Sequence, residues 1–310
     1  TWRVWRSPTR LQRWLQHPNP TPDQRLTLHP PPPPSRHREY DGLVRTLAAL
    51  ALSTAAAAVT GTALAQQPLS LPQAGRISVG LTGGLDYVVD GDVHGGVDAP
   101  VADLGALNPA LAGVAATLQI ESRDFDDVYG ELWRFGGEIG YGLSNRSEVF
   151  GSVSYTEGSG GRLQVGGAAV PALNTTLPVF GTFDDYTAWG VEAGYRHYVT
   201  GMGGFIPYAA VRGGVLFVDE IGATFTIPDA AIALNNVAFY DSSEVITLGL
   251  EVGALFPVSD TLAIGVQTGL TWTDSLSDDD SAIGGLGLAS INDEGDRLSI
   301  PLKAVLRARF

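Results

Sequence analysis

"IPLKAVLRARF", Ile300 to Phe310, sets Leu302, Ala304, Leu306, Ala308 and Phe310 at every second place, with Lys303, Arg307 and Arg309 between them. A period of two sends successive side chains to opposite faces of a strand. One face of this segment is therefore greasy and the other cationic.

The same alternation recurs upstream. In "RISVGLTGGLDYVV", from Arg76, the apolar residues Ile77, Val79, Leu81, Leu85, Tyr87 and Val89 oppose Ser78, Thr82 and Asp86. "LWRFGGEIGYGLS" sets Trp133, Phe135, Ile139, Tyr141 and Leu143 against Arg134 and Glu138, and "AWGVEAGYRHYV" sets Trp189, Val191, Ala193 and Tyr195 against Glu192 and Arg196. "VITLGLEVGALF" and "LAIGVQTGLTWT", from Val245 and Leu262, repeat the scheme, with Glu251 and Gln267 on the polar side. Weaker strands near 146–157 and 204–218 complete a set of eight, Arg212 marking the polar face of the second. "SNRS", "TGMGG" and "VSD" are tight turns, whereas 91–127, 158–182, 220–240 and 275–295 are long connections, so turns gather at one end and loops at the other.

The polar positions combine glycine with arginine and glutamate, which suits a narrow, filled lumen and leaves the apolar face looking outward. Lipid tolerates a sheet only when it closes, because each unpaired backbone group in hydrocarbon costs several kcal/mol. Trp133, Trp189 and Trp272 on the loop side, with Tyr141 and Tyr195 on the turn side, form the expected aromatic girdles. The predicted fold is all-β: an eight-stranded antiparallel up-and-down transmembrane β-barrel over 75–310, with short periplasmic turns and long extracellular loops, in the outer membrane of a Gram-negative cell.

Composition agrees with this and narrows the chemistry. The chain has no cysteine, which removes disulfides, thiolate nucleophiles and zinc-thiolate sites. Its 39 glycines are roughly twice the usual share. Residues 66–310 carry 11 basic and 30 acidic side chains, a net of -19, so nucleic acid is not an expected partner.

Arg45, the apolar stretch Leu47 to Val59 and Ala63-Leu64-Ala65 have the layout of a signal peptide over 43–65, cut after Ala65. Residues 1–42, with Pro30 to Pro34, are expected to be an over-extended gene start, and 66–74 a periplasmic N-terminal segment.

"FDDVYGELWRFGGEIGY" from Phe125 and "FDDYTAWGVEAGY" from Phe183 share paired acids, a Trp and G-x-E-x-G-Y, and "GLEVGA" from Gly249 echoes the end. With these repeats, the strand layout and the terminal "KAVLRARF", the chain resembles the small eight-stranded outer-membrane barrels: the OmpA transmembrane domain, OmpX and opacity-protein group. The resemblance implies an assembly signal in Leu302, Ala304, Leu306, Ala308 and Phe310, read by the outer-membrane assembly machinery. Outer-membrane lipid and lipopolysaccharide are the expected surroundings, the protein is expected to be a monomer, and the loops are candidates for an extracellular ligand.

Two constellations could carry function. Arg134, Glu138, Glu192, Arg196, Arg212, Glu251, Lys303 and Arg307 share the inward face, as a plug of mutually satisfied charges or, alternatively, as a charge-gated porin-like path. Asp90, Asp92, Asp126, Asp127, Asp184, Asp185, Asp278, Asp279 and Asp280 fall toward the loop end, where self-repulsion is expected to hold the loops open and where Ca2+ or Mg2+ could find carboxylates. No EF-hand spacing is present, and no other cofactor is expected.

Glycine clusters such as "GGEIGY" sit inside strands and so read as close strand packing rather than phosphate cradles. His94 lies near Asp90, Asp92 and Asp98, and His197 is expected to face lipid or the interface. No G-x-S-x-G or P-loop occurs. The chain is not expected to be an enzyme; a lipid- or peptide-hydrolysing barrel is the remote alternative, and a structural or adhesive envelope role the expected one.

Overall fold

The computed structural model describes residues 73–199, 204–289, 291–293 and 295–310. The expected gene-start extension, the leader with Ala63 and Ala65, and all but the end of the 66–74 segment lie outside the described residues.

In chain order the strands are β1 (Ile77–Asp90), β2 (Asp92–His94), β3 (Val97–Val101), β4 (Ala116–Ile120), β5 (Arg123–Asp124), β6 (Glu131–Ser144), β7 (Ser147–Gly158), β8 (Arg162–Val170), β9 (Thr175–Phe183), β10 (Tyr186–Tyr198), β11 (Ile206–Val218), β12 (Ile221–Ile227), β13 (Ile232–Tyr240), β14 (Ser243–Pro257), β15 (Leu262–Thr273) and β16 (Arg297–Arg309). A short helix, α1 (Phe125–Tyr129), precedes β6. Among the described residues no helix is long and apolar enough to cross a membrane.

Eight of the strands close on themselves in the order β1-β16-β15-β14-β11-β10-β7-β6, each antiparallel to its neighbours. The segment Ile300–Phe310 is the closing seam: β16 pairs with β15 on one side and β1 on the other, and the Phe310 N–H donates to the Ile77 carbonyl at 2.9 Å. Closure leaves no strand edge to face hydrocarbon. Barrel strands run 12 to 15 residues. About 9–11 tilted residues cross a bilayer, so the strands rise beyond it.

Alternation sorts the two faces. The outer one is apolar: Ile139 is 65% exposed, Leu250 61% and Leu81 59%. In water that surface would be a severe liability, and in lipid it costs nothing. Tyr87, Trp133, Tyr155, Trp189, Phe217 and Trp272 ring the loop side, with Tyr155 against Trp189 at 5.1 Å. Tyr141, Tyr195 and Phe256 mark the turn side, where His197 also faces outward. The chain is an outer-membrane β-barrel with short periplasmic turns and long extracellular connections.

Those connections do not stand open. Hairpins β3/β4, β8/β9 and β12/β13, one from each of the first three, join as a second, open sheet in the order β13-β12-β9-β8-β4-β3. β2 and β5 form a separate pair. The expectation that charge repulsion would hold the loops apart is thereby corrected. The acids named from the sequence lie on the exposed or half-exposed outside, while Val165, Val179, Phe183, Ile227 and Phe239 turn inward and are buried together. Repulsion between solvated carboxylates is weak and screened, whereas each large apolar side chain buried contributes about 1.5–3 kcal/mol.

Candidate functional site

Glycine decides where charge can sit inside the barrel. Gly80 lies between Glu138 and Arg307, and Gly84 between Arg134 and Lys303. Glu192 faces Gly214, Glu251 faces Gly269, and Arg212 faces both Gly194 and Gly249. Each of these side chains thus has an empty place beside it on a neighbouring strand, and two of the repeat's own glycines, Gly194 and Gly249, make room for Arg212. The approach is close: a Cβ on Gly84 would stand 2.1 Å from the Leu302 carbonyl oxygen.

Into this space the charges pack in tiers. Nearest the periplasm, Arg196 donates to both oxygens of Glu138 at 2.8 and 2.7 Å and to Glu148 at 2.5 Å. Arg307 donates to Glu148 at 2.5 Å and also to Glu138. The Tyr198 hydroxyl donates to Glu148 at 2.8 Å, and Phe150 lies under the Arg196 guanidinium at 4.3 Å. Two arginines and two glutamates make this tier neutral.

The middle tier holds Arg212, which donates to Glu192 and, at 2.8 Å, to the Thr271 hydroxyl. Its Nε is 2.9 Å from Glu251, close enough for ion pairing although the N–H is not aligned for a hydrogen bond. Lys303 reaches Glu251 at 3.6 Å. Above them, Arg134 pairs with Asp86 at 2.9 Å, again without hydrogen-bond alignment, and donates to Thr156 at 3.1 Å. All these groups are buried, Arg196 completely. The cavity left among them is about 30 Å³, room for roughly two or three waters and no hydrated ion.

Both ends of the charged column are closed by apolar layers. Ile206, Tyr208, Leu255, Ala263 and Val305 pack with Tyr198 on the periplasmic side. On the other side Arg297 lies against Phe125 and Tyr186, 5.0 and 4.6 Å from their rings, and donates to the Tyr186 hydroxyl. On this side Val88, Leu132, Ala188, Leu216 and Val245 belong to one apolar cluster with the interior of the extracellular sheet.

All eight lumen residues named from the sequence lie in this column. Asp86, Glu148 and Arg297 join them and were not singled out. Asp86 lay on the polar face of its segment, which was the available signal. β7 carries apolar Phe150 inside and Glu157 outside, so its alternation hid Glu148.

The loop acids divide. Asp278 and Asp280 come together with Asp293, carboxylate oxygens within 4.8 Å. Asp92 lies beside Asp124, whose carboxyl is held above its ordinary value first because its protonated form can donate a hydrogen bond to that neighbour. Asp279 accepts from the Ser281 N–H, and Asp185 from the Gly160 N–H. Asp90, Asp126, Asp127 and Asp184 are exposed.

His94 is not on an acidic rim. It is 1% exposed, stacked on Phe183 and edge-on to Phe239, at 6.0 and 6.2 Å between centroids.

No family model and no curated protein matches the chain. Solved structures do share the barrel. Neisserial surface protein A is 12% identical, covering 76% of this chain and 97% of its own at a TM-score of 0.36. Ail of Yersinia pestis, in complex with a heparin analogue, is 12% identical, covering 77% and 100% at 0.35. OprG of Pseudomonas aeruginosa is 13% identical, covering 78% and 98% at 0.34. These likenesses concern the architecture alone.

Proposed function

We propose that the protein is a non-conducting outer-membrane anchor that holds a folded, acidic β-domain outside the cell for structural or adhesive contacts. The supporting observation is the filled lumen: three tiers of paired charge between two apolar layers, with a residual cavity of about 30 Å³. A rigid sheet with its acids outward gives the surface a fixed shape that open loops would lack.

The test is reconstitution into planar bilayers with and without calcium. Low or no conductance is expected in both; large, long-lived open steps would replace this reading with the charge-gated porin. The role is proposed as non-enzymatic, since His94 sits among aromatic rings and, among the described residues, no nucleophile is hydrogen-bonded to it. A peptide or lipid hydrolysis abolished by His94→Ala would refute that.

A further inference from the structure

Inside the extracellular domain a cavity of about 50 Å³ lies between the six-stranded sheet and the fourth connection. Ile120, Val165, Phe225, Phe239, Ile283 and Ile291 are among the side chains on its wall, and only His94 and Thr226 there are polar. Water gains little in such a place, since a buried water needs two to four polar partners.

The His94 ring lies deep in the domain with half of its hydrogen bonding unmet. Nδ1 is 3.0 Å from the Gly95 carbonyl oxygen, which can only accept, so Nδ1 carries the proton. Nε2 is then a bare lone pair, and among the described residues it has no hydrogen-bond partner. Burial, with a smaller push from the Arg123 charge, holds His94 below its ordinary pKa against the Gly95 hydrogen bond that raises it, so the ring is neutral. A buried acceptor left unmet is destabilising, and a donor that reached it would relieve that cost.

We infer that this cavity binds a small, mainly aliphatic molecule carrying one hydroxyl group, the alkyl part lying against the Ile, Val and Phe wall and the hydroxyl donating to His94 Nε2. The wall selects against charge and the imidazole selects for a single donor. A short aliphatic alcohol meets both conditions; a plain alkane meets only the first. The site lies outside the barrel interior and stands whether or not the lumen conducts.

The test uses the full chain in lipid nanodiscs, labelled with ¹⁵N-histidine, titrated with ethanol and separately with ethane, molecules small enough for a cavity of about 50 Å³. Ethanol should move the His94 Nε2 resonance saturably and bind about 3–10-fold more tightly than ethane, the equivalent of one net hydrogen bond. His94→Leu should bind both about equally, and Val165→Phe, which fills the cavity, should bind neither. If Val165→Phe does not fold, Leu288→Trp at the partly exposed part of the wall takes its place as the blocking variant. No saturable shift, an undiminished ethanol preference in His94→Leu, or unchanged binding in the folded blocking variant would each overturn the assignment.

Discussion

Removing Glu148 tests the lumen where it is most tightly built. This carboxylate accepts from Arg196 and Arg307, each at 2.5 Å, and from the Tyr198 hydroxyl at 2.8 Å. Arg196 is fully buried and Arg307 nearly so. Glu148→Ala leaves two arginines facing Glu138 alone, an uncompensated positive charge in a closed interior. Breaking a buried pair by deleting one partner costs about 3–5 kcal/mol, or two to four decades in the folding equilibrium. The assay is urea-dependent folding into lipid vesicles, followed by heat-modifiable migration. Glu148→Ala/Arg307→Ala restores neutrality and should recover much of the loss, giving a coupling energy of at least about 1 kcal/mol. A single-variant effect below about 1 kcal/mol, or no coupling, would mean that water reaches these charges, and the sealed lumen would fall with it.

Other perturbations address separate parts of the fold. Gly84→Val drives a side chain into the Leu302 carbonyl, 2.1 Å from the new Cβ, and should cost at least about 1–3 kcal/mol in the same assay. Ala231, exposed and left-handed at φ 48°, should give up to about 1 kcal/mol of added stability as Ala231→Gly, read as slower amide exchange in the β12/β13 hairpin. Acid should loosen the extracellular domain through His94. Its folded pKa lies below the unfolded value of about 6.5, so the unfolded state binds more protons in the interval between them. Stability is therefore full above that pH and falls as pH drops through the interval. His94→Leu should flatten the slope, measured by amide exchange of β2 and its neighbours between pH 7.5 and 5.

The barrel was legible because lipid and a narrow lumen impose opposite demands on alternate residues, and segments such as Val245–Phe256 obey both. Cross-strand register was not legible: nothing in one strand says that Gly80 stands between Glu138 and Arg307. The extracellular sheet was missed for another reason. In "RLQVGGAAVPALNTTLPVFGTF" the apolar residues run together with glycine and alanine, and their burial depends on hairpins from two other connections. The acids, being numerous and outward, dominated the reading of segments whose fold is set by what points inward.

The two sheets differ in what their rims expose. The barrel has none, but the outer sheet ends at β3 and β13, each paired on one side only. Such margins are templates on which another chain can add a strand. Here Pro100, next to last in β3, removes a donor from that strand, while β13 is interrupted by register shifts against β12 and by Asn236 at φ 52°. Neither margin offers a long regular run of donors and acceptors. Crowded copies on one cell surface are thereby kept from zipping edge to edge, and contacts must be made through side chains on the faces.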